Sequence, residues 1–220
     1  MYRAVIFDLD GTLLDTLDDL VNAVNASLCS CGFPPRTRNE VRSFVGNGVA
    51  KLMELAVPVG CAPEMIAIAL ARFKEIYATH CEEYTRPYPG VLALLTALRA
   101  QGIRTAIVSN KFDGAVQTLA THYFGELIEV AVGEREAEGI RRKPAPDTLI
   151  HAMHTLGVTS ADTVYVGDSD VDILTARAAG VRCISVTWGF CDRDYLIRNG
   201  AECFADDAEE LRNILMNMPK

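Results

Sequence analysis

The strongest constraint on the fold of this chain is the alternation of strand-like and helix-like apolar patterns from residue 91 to its end. Strand patterns cover residues 103–108, 127–132, 163–166 and 183–186. Helical periodicities lie at residues 91–98, 113–122, 149–156, 173–179 and 207–215. Short connections between alternating strands and helices specify a parallel sheet with helices on both faces. The sequence therefore predicts an α/β fold with a doubly wound parallel sheet, to which an apolar run at residues 5–7 adds a further strand.

One long segment departs from this alternation. Residues 15–85 contain helical periodicities only, at 17–28, 37–45, 49–56 and 64–83, separated by glycines and prolines. A linker with two prolines, residues 84–90, leads back to the alternating region. We predict a small α-helical domain at residues 15–85, inserted into a core formed by residues 1–14 and 86–220.

Polar residues follow three of the predicted strands. The first strand ends in Asp8 and Asp10, the second in Ser109 and Asn110, and a later one in Asp168. Doubly wound parallel sheets bind ligands in the crevice beyond the carboxyl ends of their strands. We therefore expect these side chains to meet at one edge of the sheet.

Two of these residues, Asp8 and Asp10, are two positions apart. In extended backbone this spacing points both side chains the same way, and the repulsion between two carboxylates is costly unless a cation or a proton relieves it. With Asp168 they offer oxygen ligands to a hard divalent cation, and Lys143, before a predicted helix, adds an ammonium group. This set is typical of phosphoryl transfer. Taken alone, the first pair could instead end a strand in a solvated turn.

Composition excludes several classes of protein. A formal net charge of -8 argues against a general binder of nucleic acid or of membrane surfaces. The seven cysteines form an odd, scattered set without a CxxC pair, which favours reduced thiols. Seven residues before Asp8 are too few for a signal peptide, and no apolar run approaches the roughly 20 residues of a membrane span. We expect a cytoplasmic globular protein, a monomer or homodimer, with no nucleic-acid or membrane partner.

Four motifs resemble those of the haloacid dehalogenase superfamily, in its phosphatase branch with a small helical cap. They are DxDGT at residues 8–12, the serine Ser109 at the end of a strand, Lys143 followed by proline, and GDxxxD at residues 167–172, in the family's order. Residues 45–48, Asn110 with Lys111, and residues 143–146 are further similar to phosphoglycolate phosphatases. The sequence Gly-Asp-Ser-Asp-Val-Asp at residues 167–172 departs from the GDSRND that those enzymes often have.

The resemblance implies a Mg²⁺-dependent hydrolase of a small organic phosphate monoester, acting through an aspartyl phosphate. Asp8 is expected to be the nucleophile, and Asp10 the general acid and then the general base. Mg²⁺ would be held by Asp8, by the backbone carbonyl of Asp10 and by Asp168. The remaining site residues are expected to bind phosphate (Ser109, Asn110, Lys143), to orient the site from behind the metal (Asp172), and to contact substrate from the cap (Gly46, Asn47, Gly48).

Several alternatives stay open on the sequence alone. Asp172 could simply cap or pair its own helix, and Gly46 and Asn47 could stop one helix and cap the next. The resemblance is also compatible with a pyrophosphatase or a β-phosphoglucomutase-like phosphosugar mutase. A catalytically silent binding module is a further alternative, although retention of all four motifs argues against it.

Overall fold

Six parallel strands form the central sheet of this protein, for which a computed structural model describes residues 2–217. The strands of the chain are β1 (Ala4–Phe7), β2 (Leu14–Asp15), β3 (Arg86–Pro87), β4 (Arg104–Phe112), β5 (Val130–Glu134), β6 (Thr163–Gly167), β7 (Arg182–Val186) and β8 (Phe204–Ala205). The helices are α1 (Leu17–Ser30), α2 (Arg38–Phe44), α3 (Gly48–Ala56), α4 (Pro63–His80), α5 (Val91–Ala100), α6 (Asp113–Phe124), α7 (Asp147–Leu156), α8 (Asp170–Ala179), α9 (Arg193–Arg198) and α10 (Ala208–Asn217).

The strand order of the sheet is β5-β4-β1-β6-β7-β8, and every neighbouring pair is parallel. Strand β1 lies near the centre and is buried along its whole length. Successive side chains point to opposite faces of a strand, so Ile6 packs in the core on one face and Val5 and Phe7 in the core on the other. This arrangement confirms the predicted doubly wound α/β fold.

Four helices, α1 to α4, lie between β2 and β3 in the chain. The two short strands pair antiparallel, Leu14 with Pro87 and Asp15 with Arg86, so the chain leaves and re-enters the core through one narrow ribbon. The sequence indicated only a linker there, because two residues per strand are too few to show a period. Among the described helices, none combines the length and the apolar character needed to cross a bilayer.

Two core elements differ from the sequence-based expectation. Strand β4 continues to Phe112 instead of ending at residue 108, since its ladder with β5 resumes at Phe112 and Glu134 after a register shift. Strand β5 begins at Val130 rather than at residue 127, because residues 125–127 form a 3-10 turn. Helix α9 and strand β8 are absent from the predicted elements, because they are only six and two residues long.

The buried carboxylate of Asp19 binds the backbone at the point where the chain returns from the helical segment to the core. Asp19, in the first turn of α1, accepts hydrogen bonds from the backbone N–H groups of Tyr84 and Thr85 and from the Thr85 hydroxyl, at 2.8 to 3.1 Å. Its neighbour Asp18 is exposed and pairs with Arg38 at 2.7 Å. The two adjacent aspartates therefore differ in burial and in partners.

We predict that Asp19→Ala lowers the free energy of unfolding by about 2 to 3 kcal/mol, because it leaves buried N–H donors without a partner. Asp18→Ala is the matched control, and it should change that free energy by no more than about 0.5 kcal/mol, as expected for an exposed site. Urea denaturation followed by circular dichroism measures both. Equal destabilisation by the two variants would show that the Asp19 contacts carry no special weight.

Candidate active site

The carboxyl ends of three adjacent strands bring the predicted site residues together. Strands β4, β1 and β6 are neighbours in the sheet. Asp8 and Asp168 directly follow β1 and β6, and Ser109 follows Val108, where the regular pairing of β4 with β5 is interrupted. All three side chains are buried. They line a cavity of about 380 Å³ whose opposite wall comes from α1, α2, α3 and the loop between α2 and α3.

Three carboxylates meet at the floor of this cavity. One oxygen from each of Asp8, Asp168 and Asp172 lies within 4.8 Å of the others. The buried ammonium of Lys143 donates to Asp8 Oδ1 and to Asp172 Oδ1, at 2.7 Å in both cases, and to the hydroxyl of Tyr165 at 3.1 Å. Lys143 therefore links the end of β1 to the start of α8.

Asp172 serves two groups at once. Its Oδ1 accepts from Lys143 and Tyr165, while its Oδ2 accepts from the backbone N–H and the hydroxyl of Ser169. The latter contacts belong to a capping box at the start of α8. Helix capping and orientation of the site are therefore compatible roles for this one carboxylate.

Burial dominates the electrostatics of the cluster. It raises the pKa of Asp8 well above its usual value, against the opposing effect of Lys143. Burial, reinforced by the charge of Asp172, raises the pKa of Asp168 to about 7. Burial alone would lower the pKa of the Lys143 ammonium, but Asp172 and Asp8 outweigh it and raise that pKa. The positive charge near Asp8 and Asp168 is thus too small to offset the effect of burial on the pKa of either carboxyl group.

The charge balance of the site fits a divalent cation. Asp8, Asp10, Asp168 and Asp172 carry four negative charges when ionised, and Lys111 and Lys143 supply two positive charges, which leaves a deficit of two. The donors nearest one another are all carboxylate oxygens, the ligand type that Mg²⁺ prefers. The residues present therefore suit Mg²⁺ in both charge and donor chemistry.

Asp10 is separated from this cluster by its own partners. Its Oδ1 accepts from Lys111 Nζ at 2.7 Å and from the Thr16 hydroxyl at 2.6 Å. Lys111 is buried at the end of β4, and its ammonium lies 4.6 Å from the ring centre of Tyr77 on α4. Lys111 was not among the predicted site residues. The available signal was its place directly after Ser109 and Asn110, in a segment similar to phosphoglycolate phosphatases.

The side chain of Asn110 forms hydrogen bonds with the backbone of Gly46 and of Lys143. Its Nδ2 donates to the carbonyl oxygens of Gly46 and Lys143, at 2.9 Å each, and its Oδ1 accepts from the Lys143 backbone N–H at 2.9 Å. It thereby connects the loop after α2 to the backbone of Lys143. Ser109 Oγ accepts from the Lys111 backbone N–H at 3.2 Å. Among residues 2–217 it donates to no other group, so its hydroxyl hydrogen is available to a ligand. Phosphate binding by Asn110 stays a prediction.

The loop of Gly46, Asn47 and Gly48 lines the cavity. Both glycines adopt positive φ angles, 121° and 81°, which favour glycine over other residues. Asn47 precedes α3 but makes no side-chain capping bond. The capping alternative for Asn47 therefore lacks its hydrogen bond, and the side chain lies at a cavity-lining position.

A loop after β7 completes the site. The Phe190 N–H donates to Asp168 Oδ2 at 2.6 Å, and a Cβ atom at Gly189 would lie 2.3 Å from that same oxygen. On the other side, Arg42 of α2 donates to the carbonyl oxygens of Phe190, at 2.7 Å, and Gly189, at 3.4 Å. Arg42 was not among the predicted site residues, because its partners lie almost 150 positions away in the chain.

This chain is similar to known hydrolases. The family model for haloacid dehalogenase-like hydrolases matches residues 5–186. Phosphoglycolate phosphatase 1 of Pseudomonas aeruginosa is 37% identical over 194 residues, which cover 86% of this chain and 70% of that protein. The plasmid phosphoglycolate phosphatase of Cupriavidus necator is 38% identical over 216 residues, 96% of this chain and 92% of that protein.

A crystal structure of a protein from Lactobacillus delbrueckii subsp. bulgaricus has the same fold. It superposes with a TM-score of 0.91 at 36% identity, covering 97% of this chain and 98% of the other. The family resemblance inferred from the four motifs is thereby confirmed. The chain belongs to the haloacid dehalogenase-like hydrolase family, and it is similar to phosphatases of that family.

Proposed function

We propose that this phosphatase hydrolyses 2-phosphoglycolate or a closely similar small phosphate monoester, with Mg²⁺ and through an aspartyl phosphate on Asp8. One observation carries the proposal. Asp8 ends the central strand at the floor of the cavity, with the Lys143 ammonium 2.7 Å from one of its oxygens and Asp168 beside it. A nucleophile, a cation and a metal-binding carboxylate thus share one buried position.

Asp8 is suited to attack phosphorus because its position is fixed. Lys143 holds Oδ1, so the other oxygen is the one available to form the bond to phosphorus while the ester oxygen leaves. The same ammonium offsets part of the negative charge of the phosphate as it approaches. Ser109, with its hydroxyl hydrogen available, is placed to donate to a phosphoryl oxygen. Water then cleaves the aspartyl phosphate and regenerates the carboxylate.

Mg²⁺ would be held by the carboxylates of Asp8 and Asp168 and by the backbone carbonyl of Asp10. When bound, it supplies positive charge that stabilises the transferring phosphoryl group. Asp172 then positions the ammonium of Lys143, which also binds Asp8.

Asp10 is the acid and base of the proposed reaction. Lys111 and Thr16 both bind its Oδ1, which fixes the carboxyl group and leaves Oδ2 to give a proton to the leaving oxygen. The same oxygen then takes a proton from the attacking water. Hydrogen bonds that position the group in this way remove the need to orient it during each turnover.

The choice of 2-phosphoglycolate rests on the named relatives and on the size of the cavity. A volume of about 380 Å³ is near the low end for small-molecule sites, which favours a compact ester. A pyrophosphatase or a β-phosphoglucomutase-like mutase would use the same residues of the sheet edge, and a silent binding module would bind without turnover. Substrate comparison separates these possibilities.

We expect the purified protein to release phosphate from 2-phosphoglycolate with a kcat/KM at least about 10-fold above that for pyrophosphate or for β-glucose 1-phosphate, since binding differences of about 1.4 kcal/mol give that ratio. Phosphate release measured over a panel of phosphorylated metabolites tests this. A higher kcat/KM for pyrophosphate would identify a pyrophosphatase. Isomerisation of β-glucose 1-phosphate without phosphate release would identify a mutase, and binding with neither reaction would identify a silent module.

Removal of divalent cations should abolish turnover, because two negative charges of the site would be left without compensation. We expect activity to vanish after EDTA treatment and dialysis and to return with Mg²⁺. Ca²⁺ should not replace it fully, since Ca²⁺ takes more ligands at longer distances. Phosphate release with each added ion is the measurement. Full activity after exhaustive chelation would contradict the proposed mechanism.

Substitution of each aspartate of the first motif, Asp8 and Asp10, should block a different step of the reaction. Asp8→Asn lacks the nucleophile, so neither turnover nor a covalent adduct is expected with any ester. Asp10→Asn keeps the nucleophile and should lose about 10²- to 10⁴-fold in rate with an alkyl ester, the usual worth of acid-base catalysis. With an activated aryl phosphate, whose leaving group needs no proton, Asp10→Asn should still become phosphorylated on Asp8.

Intact mass spectrometry of quenched mixtures detects the phosphoryl adduct of the previous experiment. Asp170→Asn is the matched control, because Asp170 lines the cavity but does not belong to the group of converging carboxylates. It should keep most of its turnover. An equal adduct in Asp8→Asn and Asp10→Asn would show that Asp8 is not the nucleophile.

A further inference from the structure

Arg42 belongs to the helical segment, yet its guanidinium reaches the edge of the sheet. It donates to the carbonyl oxygens of Gly189 and Phe190, and the N–H of Phe190 binds Asp168. The guanidinium is thus only one residue removed from a carboxylate of the active site. It also lines the same cavity.

Four cationic side chains line this cavity, and they differ in how free they are to bind a ligand. Lys111 and Lys143 are buried and bind core carboxylates at 2.7 Å. Arg198 comes from α9 of the core and is exposed. Arg42 pairs with Asp192, whose side chain is 85% exposed, so water screens that pair. Among the described residues, Arg42 is therefore the cation that the helical segment contributes to the cavity.

The backbone contacts of Arg42 position its guanidinium without neutralising it, and its carboxylate partner Asp192 is exposed to solvent. Backbone carbonyl oxygens accept hydrogen bonds but carry no net charge. Within residues 2–217 the hydrogen bonds of Arg42 use Nε and Nη2, which leaves the Nη1 donors for a ligand. A planar guanidinium matches a carboxylate in shape and charge. The neighbouring wall from the helical segment is largely apolar, formed by Leu20, Val45, Val49 and Leu52.

We propose that Arg42 binds the carboxylate of the substrate, so that the helical segment selects phosphate esters with a second anionic group. The inference rests on the proposed function and names the residue that sets its substrate class. In a two-carbon ester the carboxylate lies close to the phosphate. Arg42 lines the same cavity as Asp8 and Asp168, so an ester bound at Asp8 shares that cavity with the guanidinium.

The test compares two substrates of equal size that differ in charge. 2-Phosphoglycolate carries the carboxylate, and its carboxamide, 2-phosphoglycolamide, does not. Arg42→Met should lower kcat/KM for 2-phosphoglycolate by about 10- to 100-fold, mainly through KM, and for the amide by less than about 3-fold, because only the charged hydrogen bond is lost. Arg42→Lys, which keeps the charge, should recover part of the preference.

Two further arginines serve as controls. Arg38→Met changes an exposed residue of the same helix that pairs with Asp18, and it should leave both substrates unaffected. Arg198→Met removes the other arginine of the cavity, and it should leave the preference for the charged ester intact.

Several results would overturn the proposal. Equal losses on both substrates in Arg42→Met would mean that Arg42 only holds the loop of Gly189 and Phe190. Loss of the charge preference in Arg198→Met, with retention in Arg42→Met, would assign the carboxylate to Arg198. A wild-type enzyme that ignores 2-phosphoglycolate but hydrolyses other esters would refute the proposed function itself. That failure is seen without any variant, and it removes this inference as well.

Discussion

The buried ion pairs between Lys143 and the carboxylates of Asp8 and Asp172 are the constraint on which this site depends. Buried charges are costly unless they are paired and hydrogen-bonded, and one ammonium here serves two carboxylates and a tyrosine hydroxyl. These contacts join β1, the loop before α7 and α8. The apolar sheet beneath them excludes water, so each charge acts strongly on the others. The arrangement favours reactivity and cation binding over stability.

The sequence was sufficient for the fold class and the family because both rest on local patterns. An apolar run followed by Asp8 and Asp10 predicts a buried strand with its chemistry at one end, and the structure has that strand at the centre of the sheet. Periodicity also placed the main helices correctly to within a few residues. Neither kind of signal depends on knowing which distant residues touch.

The contacts between the helical segment and the core could not be predicted in this way. Arg42 meets Phe190, and Asn110 meets Gly46, across 148 and 64 positions of the chain, and no periodic pattern encodes such pairs. Lys111 is a similar case, since its partner Asp10 is 101 positions away. The ribbon of β2 and β3 is too short to leave a pattern. Chemistry-bearing residues were thus visible in the sequence, whereas the residues that position them required coordinates.

The two-residue ribbon of β2 and β3 has a consequence for how such enzymes diversify. Because the chain leaves the core at Leu14 and returns at Pro87, directly opposite, everything between these points can change in length and sequence without moving a strand of the sheet. Natural recombination or laboratory grafting could therefore exchange the whole segment as a cassette. The donor would need to restore only a few anchoring contacts, such as that of Asp19 with the returning backbone. The same catalytic core could in this way act on different substrates when it carries different inserted segments.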